Sequence, residues 1–331
     1  MVQMYGIDVS KMKLDISFID NNGLKQHKII DNTLSKIALF LEQLPLDAAL
    51  CAEHTGTPGN LLRFLSHVIN IPLFLVTGYE VKHSLGLQKG KTDKTDAHRI
   101  REFAERFSDK LNHDVFKGEA LCELQELLTL RNQLVKDRKM LVTLKVSKES
   151  NPFSSTKAHE ITSLQISRFD QDIKDLEKEM LSIMKEAPEL RENLELVTSV
   201  KGVGLITATE LIIKTENFNK IDTAKKAASF AGVCPFPNSS GLMVKKSKVS
   251  PMGDRALKSL LYMCACSAVQ HNKELKLYYQ KKEMQGKPYF LIMNNISNKL
   301  LRIIYSVVNS RIPWDPNYIC ADPRMATKNI A

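Results

Sequence analysis

Four carboxylates and one serine-rich basic segment carry the reactive chemistry of this sequence. Asp8 sits inside the apolar run Tyr5-Gly6-Ile7-Asp8-Val9, and a carboxylate within an apolar strand needs a partner. Glu53 closes a second apolar run that starts at Ala48. Asp93 and Asp96 open a helical pattern three residues apart, which puts both on one helix face with Cβ atoms about 5–6 Å apart. By itself that pair also fits a solvated helix start, because Lys89, Lys91, Lys94 and Arg99 surround it. Four acids brought together offer hard oxygen ligands for two Mg²⁺ ions roughly 3.5–4 Å apart, a set able to clamp a scissile phosphate.

The second feature lies between Ala231 and Ala265. Ser239, Ser240 and Gly241 read as a polar turn, and Lys245, Lys246, Lys248, Arg255 and Lys258 follow with only Asp254 opposing them. Such a patch holds phosphates, and concentrated positive charge lowers the cost of a serine alkoxide and of a pentavalent transition state. A Ser/Gly loop that only binds DNA fits the same residues.

These groups are positioned by elements that the patterning outlines. Extended segments at Met4–Asp8 and Leu14–Asp20 form a hairpin, with turn residues from Asp20 to Gly23 and a third strand from Leu24 to Ile30. Asp31 or Asn32 can cap the helix in which Leu34, Ile37, Phe40 and Leu41 keep helical spacing. A strand at Ala48–Ala52, a helix from about Gly59 to Val68, a strand at Pro72–Val76 and a helix through Asp93 to Phe103 follow. The order β-β-β-α-β-α-β-α is that of a ribonuclease-H-like α/β domain, in which Asp8 is central on the first strand and Glu53 ends its neighbour. Between Glu119 and Val146, and again between Ile166 and Ile183, apolar residues form heptad stripes broken by Asn151, Pro152, Ser154 and Ser155. They fit an antiparallel helical hairpin or a dimerising coiled coil. Near Leu194 a helix breaks at Lys201-Gly202-Val203-Gly204 and resumes, as in helix-hairpin-helix modules whose backbone N–H groups at Gly202 and Gly204 can hold a phosphate. The resulting organisation is an α/β domain over 1–115, a helical middle over 116–190 and a mainly α domain over 191–331.

Composition narrows the partners. The chain has 331 residues, with 47 Lys plus Arg against 37 Asp plus Glu and a net charge of +10. That excess favours a polyanion. No basic segment precedes an apolar run at the N-terminus and no stretch approaches 18 uninterrupted apolar residues, which argues against a membrane and for the cytoplasm, at the nucleoid. The six cysteines lack CxxC spacing and read as reduced thiols.

Taken in order, Gly6-Ile7-Asp8-Val9-Ser10-Lys11, Glu53-His54-Thr55-Gly56, Lys91-Thr92-Asp93-Lys94-Thr95-Asp96-Ala97, Gly202-Val203-Gly204 and Ser239-Ser240-Gly241 with Ser250 to Lys258 resemble the motifs of DEDD transposases. This is the insertion-sequence family one-hundred-ten, which includes the Piv-type DNA invertases. The resemblance implies a RuvC-like domain joined by a coiled coil to a C-terminal transposase domain. It implies that Asp8, Glu53, Asp93 and Asp96 are Mg²⁺ ligands and that Ser240 is a nucleophile forming a transient 5′-phosphoserine. It also implies a composite site in a homo-oligomer, a dimer or tetramer, with targets chosen by a structured bridge RNA. Where relatives commonly carry Lys-Arg before Gly-Asp and Arg after the Leu, this chain has Pro251, Met252 and Lys258, and Lys does not reproduce a bidentate Arg grip.

Other functions fit parts of the sequence. A site-specific invertase uses the same chemistry. A metal-dependent nuclease or junction resolvase needs no serine adduct. The first motif also resembles a phosphate loop of actin-like sugar kinases, but the second such loop would fall in heptad helix. A non-catalytic nucleic-acid scaffold would not need all four acids and the serine.

Overall fold

The computed structural model describes residues 2–20, 22–86, 90, 92–149, 153–240 and 243–316, without the side chains of 148–149, 237–240 and 243–248. Two compact units, residues 1–116 and 117–331, divide the chain.

The first unit is built on a five-stranded sheet. Strands β1 (Gln3–Val9), β2 (Lys13–Ile19) and β3 (Lys25–Asp31) form an antiparallel meander, and β4 (Ala48–Glu53) and β5 (Leu73–Val76) add in parallel, giving the order β3-β2-β1-β4-β5. The first turn is tight, with the Ser10 hydroxyl donating to the Lys13 carbonyl at 2.8 Å. In the second, the Asp20 carboxylate accepts from the Leu24 N–H at 2.9 Å and Gly23 takes a positive φ of 76°. Helices α1 (Leu34–Glu42), α2 (Asn60–Val68), α3 (Gly78–Ser84) and α4 (Asp93–Arg106) complete the unit. Thr33, rather than Asp31 or Asn32, is the N-cap of α1. Asn32 is used elsewhere, donating to the carbonyls of Ser10 and Pro58. Helix α3 is absent from the sequence reading because seven residues with one buried apolar side chain, Val81, leave no periodic signal.

Period-two alternation sorts the sheet into two faces. Tyr5, Ile7, Val9, Leu14, Ile16, Leu50 and Ala52 join one core with α1 and α2. Met4, Ala49, Cys51 and Val76 face the other way, into a second core with Val81 of α3 and Ile100, Phe103 and Ala104 of α4. By the same alternation Gly6, Asp8, Asp15 and Glu53 fall on this second face.

The second unit opens with two 31-residue helices, α5 (Glu119–Glu149) and α6 (Thr156–Glu186). Arg131 pairs with Glu177 at 2.8 Å and Arg138 with Asp170 at 2.6 Å. Each step of seven residues up α5 is a step of seven down α6, so the two run antiparallel in heptad register. Helices α7 (Pro188–Ser199), α8 (Leu205–Lys214) and α9 (Ala224–Phe230) precede a two-stranded antiparallel hairpin of β6 (Pro235–Ser240) and β7 (Met243–Val249). Helices α10 (Arg255–His271), α11 (Lys273–Met284) and α12 (Tyr289–Ser310) close the unit. Along α12, Ile292, Ile296, Leu300, Ile304 and Val308 are buried in one core shared with α7, α8 and α10. The Tyr305 hydroxyl satisfies itself there by donating to the Ile221 carbonyl at 2.7 Å.

Candidate active site

In the first unit one glycine sets the approach of α4 to the sheet. A Cβ on Gly6 would overlap the Ala97 carbonyl and the Arg101 backbone nitrogen, so only glycine lets the helix lie this close to β1. Thr92 caps α4, its hydroxyl accepting from the Thr95 N–H. Asp93 and Asp96 occupy the first helical turn, where the helix dipole favours negative charge. The fully buried Arg101 side chain, paired with Glu105, locks the next turn down. Glu53 ends β4, and its carboxylate lies over Gly78, where a Cβ would collide with Oε1.

Of the four acids singled out from sequence, Glu53, Asp93 and Asp96 stand near enough to Asp8 for their charges to act on it. Its pKa is pushed up to about 6, first by burial and then by the charges of Asp93, Asp96, Glu53 and Asp15. Three residues of this cluster escaped the sequence reading. Asp15 lies directly opposite Asp8 in the β1–β2 pair and is almost wholly buried, a placement that costs energy for like charges. Lys13 offsets it, its Nζ lying 2.9 Å from Asp15 Oδ2 and 2.8 Å from Asp93 Oδ2. His27 on β3 holds the other Asp15 oxygen at 2.9 Å. The signal for Asp15 and Lys13 lies in the tight Ser10–Lys13 turn, which fixes the register that sets Asp15 across from Asp8, whereas His27 is placed by the β2–β3 pairing.

Among the described residues no three His, Cys, Asp or Glu side chains are gathered tightly enough to share a metal ion. Lys13 holds Asp93, and Arg99 holds Asp96 at 3.0 Å. The donor chemistry nevertheless suits a divalent cation: every candidate ligand is a carboxylate oxygen, and the repulsion that lifts Asp8 is the interaction such a cation would offset.

In the second unit the serine-basic segment is a hairpin rather than a loop. Ser239 and Ser240 lie in β6, Ser240 paired with Met243, and Lys245, Lys246 and Lys248 lie in β7. The polar turn expected at 239–241 thus gives way to strand at its first two positions, where Ser239 pairs with Val244 and Ser240 with Met243. Gly241 and the side chains of Ser239, Ser240, Lys245, Lys246 and Lys248 lie outside the described residues. The base of the hairpin is pinned by two glycines: a Cβ on Gly253 would meet the Gly232 Cα at 2.5 Å and its nitrogen at 2.6 Å. Beyond it Asp254 caps α10, accepting from the Leu257 N–H at 2.9 Å, and its other oxygen pairs with Lys214 at 3.2 Å. Arg255 is then exposed and Lys258 half-buried on the first turns of α10.

Gly202 and Gly204 part company. Gly202, at φ 99°, packs against α10, where a Cβ would lie 2.8 Å from the Ala268 side chain and 2.9 Å from the Cys264 carbonyl. Gly204 is the exposed N-cap of α8 with open space before it. The first glycine has a packing role, and the second leaves backbone N–H groups at a helix N-terminus.

The first unit is an α/β unit with acids on one sheet face, and the second is a helical unit bearing a lysine-rich hairpin. Comparisons with known proteins give the family. Residues 5–144 match the DEDD model of IS110 elements, described as a transposase, and residues 194–280 match the model described as the transposase IS116/IS110/IS902 family. The chain is 26% identical over 328 residues to the pilin gene-inverting protein of Moraxella bovis, covering 94% of this chain and 97% of that one. The pilin gene-inverting protein of Moraxella lacunata is 25% identical with the same coverage. The transposase for insertion sequence element IS1111A of Coxiella burnetii is 24% identical, over 82% of this chain and 79% of its own. The chain belongs to the IS110 family of transposases, enzymes of DNA recombination. No helix among the described residues is long and apolar enough to cross a membrane.

Proposed function

We propose that the protein is a serine recombinase with a RuvC-like first domain, in which Asp8, Glu53, Asp93 and Asp96 hold Mg²⁺ and Ser240 attacks DNA. The supporting observation is the repulsion that acids of β4 and α4 exert on Asp8 of β1, in a chain that aligns almost end to end with the pilin gene-inverting proteins. When bound, the cation supplies charge stabilisation at the scissile phosphate. The rest is the work of the chain. Ser240 Oγ loses its proton and bonds to phosphorus, the P–O3′ bond breaks, and the leaving 3′ oxygen takes up a proton. A 5′-phosphoserine and a free 3′-hydroxyl result, and attack by another 3′-hydroxyl on that ester rejoins the strands and restores the serine. Lys245, Lys246, Lys248, Arg255 and Lys258 hold the DNA backbone, with Gly204 offering N–H groups at α8.

The excess of positive charge also suits a structured non-coding RNA that guides target choice. Self-association is supported by the apolar residues left exposed along the helical hairpin, including Met140, Leu144, Val146, Ile161 and Leu164. Inversion of a chromosomal segment, rather than transposition, is favoured by the longer alignment with the pilin gene-inverting proteins.

The test is an adduct trap: full-length protein, Mg²⁺, labelled DNA carrying the element junction, and RNA transcribed from the flanking non-coding region. A denaturation-resistant protein–DNA adduct is expected that disappears in Ser240→Ala and in Asp8→Ala. Cleavage that survives Ser240→Ala without an adduct would instead make the protein a hydrolytic nuclease.

A further inference from the structure

We propose that the face formed by α10, the end of α11 and the start of α12 is a stacking platform for the unpaired bases of single-stranded nucleic acid. Four aromatic rings form a ladder there. Tyr279 and Tyr289 stand 6.3 Å apart edge to face, Tyr289 and Phe290 5.4 Å apart edge to face, and Phe290 and Tyr262 6.3 Å apart with nearly parallel planes. The central pair is exposed, Tyr289 to 45% and Phe290 to 75%. Tyr289 is also held in place, its hydroxyl 3.4 Å from that of Tyr262 and 3.9 Å from Cys266 Sγ. Fixed rings cost little entropy when a ligand settles on them.

Charge identifies the occupant. From Arg255 to Lys299 the sequence has eight Lys or Arg against two Glu. Arg255, Lys258 and Tyr262 follow at spacings of three and four, so they share one stripe of α10. That stripe leads from the base of the basic hairpin to the ladder. Lys281 and Lys282 lie in the last turn of α11, two and three residues past Tyr279, and Lys287 comes two residues before Tyr289. Aromatic faces flanked by cations suit a strand whose bases are open and whose phosphates run alongside. A contact between copies would be depleted in lysine, and a duplex keeps its base faces covered. The inference rests on the reading of the protein as a nucleic-acid recombinase and adds a surface outside the acids and the serine.

The experiment measures fluorescence anisotropy of the full-length protein with labelled 20-nucleotide single strands of RNA and of DNA, and with a DNA duplex, over a range of salt. Tyr289→Ala with Phe290→Ala is expected to weaken single-strand binding by about tenfold or more while leaving the salt slope unchanged. Duplex affinity should stay within about twofold. Lys281→Gln with Lys282→Gln should weaken all three and flatten the salt slope. Photocrosslinking from 5-iodouracil should mark the peptide holding Tyr289 and Phe290. A loss confined to RNA assigns the ladder to a guide strand, and a loss confined to DNA assigns it to a displaced strand. Unchanged single-strand affinity in the aromatic double variant, or a smaller oligomer by sedimentation with that affinity unchanged, overturns the proposal while the adduct result stands. Failure to bind any nucleic acid overturns the recombinase reading itself.

Discussion

The sheet face around Asp8 and the hairpin base around Gly253 are both organised where a glycine lets two backbones touch, yet the charge gathered at each has the opposite sign. At the first, Gly6 brings α4 onto β1, and four other carboxylates are held close enough to lift Asp8. At the second, Gly232 and Gly253 hold the two ends of a basic hairpin together, with Arg255 left in solvent. Asp8 and Asp15 face each other across paired strands, Asp15 almost wholly buried, so their repulsion is stored in the fold. Exposed cations are screened by water and salt, so their repulsion is not. A centre that takes a small hard ion needs ligands placed by packing, whereas a surface for a polyanion needs only to be presented.

If that contrast is right, crowding Gly6 does the most damage. Gly6→Val is expected to cost about 3 kcal/mol or more, because the helix backbone it meets cannot rotate away. Urea denaturation of the first unit would show it, and adduct formation should vanish. Gly253→Ala should cost about 1–3 kcal/mol by the same physics and lower the adduct yield. An unchanged denaturation midpoint would mean that the hairpin base is not pinned as described.

Asp8→Asn tests the stored repulsion. An acid whose pKa rises to about 6 in the folded state favours folding in its protonated form. Its contribution is complete below about pH 4 and is lost as pH rises through about 6. In EDTA the variant and parent should therefore melt alike at pH 4, with the variant about 2–4 °C higher at pH 7.5. Mg²⁺ should raise the melting temperature of the parent and leave the variant nearly unmoved. At the low end, Arg138→Ala removes an exposed ion pair with Asp170 and should cost no more than about 1 kcal/mol in thermal denaturation.

Much of the first unit was legible in the sequence because its strands alternate cleanly and its turns use Asp, Asn, Gly and Ser. The acids were legible because an Asp within Tyr5–Val9 breaks an apolar run. Asp15 and Lys13 were not, since their importance lies in register rather than in local pattern. The hairpin at 235–249 was hidden by composition: Pro235, Pro237, Ser and Lys are weak strand formers, and the pairing is decided by the glycine contact at its base. Gly202 carries a packing role that the sequence did not show, its close neighbour being α10.

Lys13 has a consequence for the order in which the molecule is made. It lies two residues from Asp15 in the same hairpin, so a chain emerging from the ribosome carries the counter-charge for Asp15 long before Asp93 is synthesised. The β1–β2 hairpin can close and set Asp15 across from Asp8 with an ammonium already beside Asp15. When α4 arrives, Asp93 docks onto a lysine that is waiting, and the acid set is completed without any ion having to be captured during synthesis.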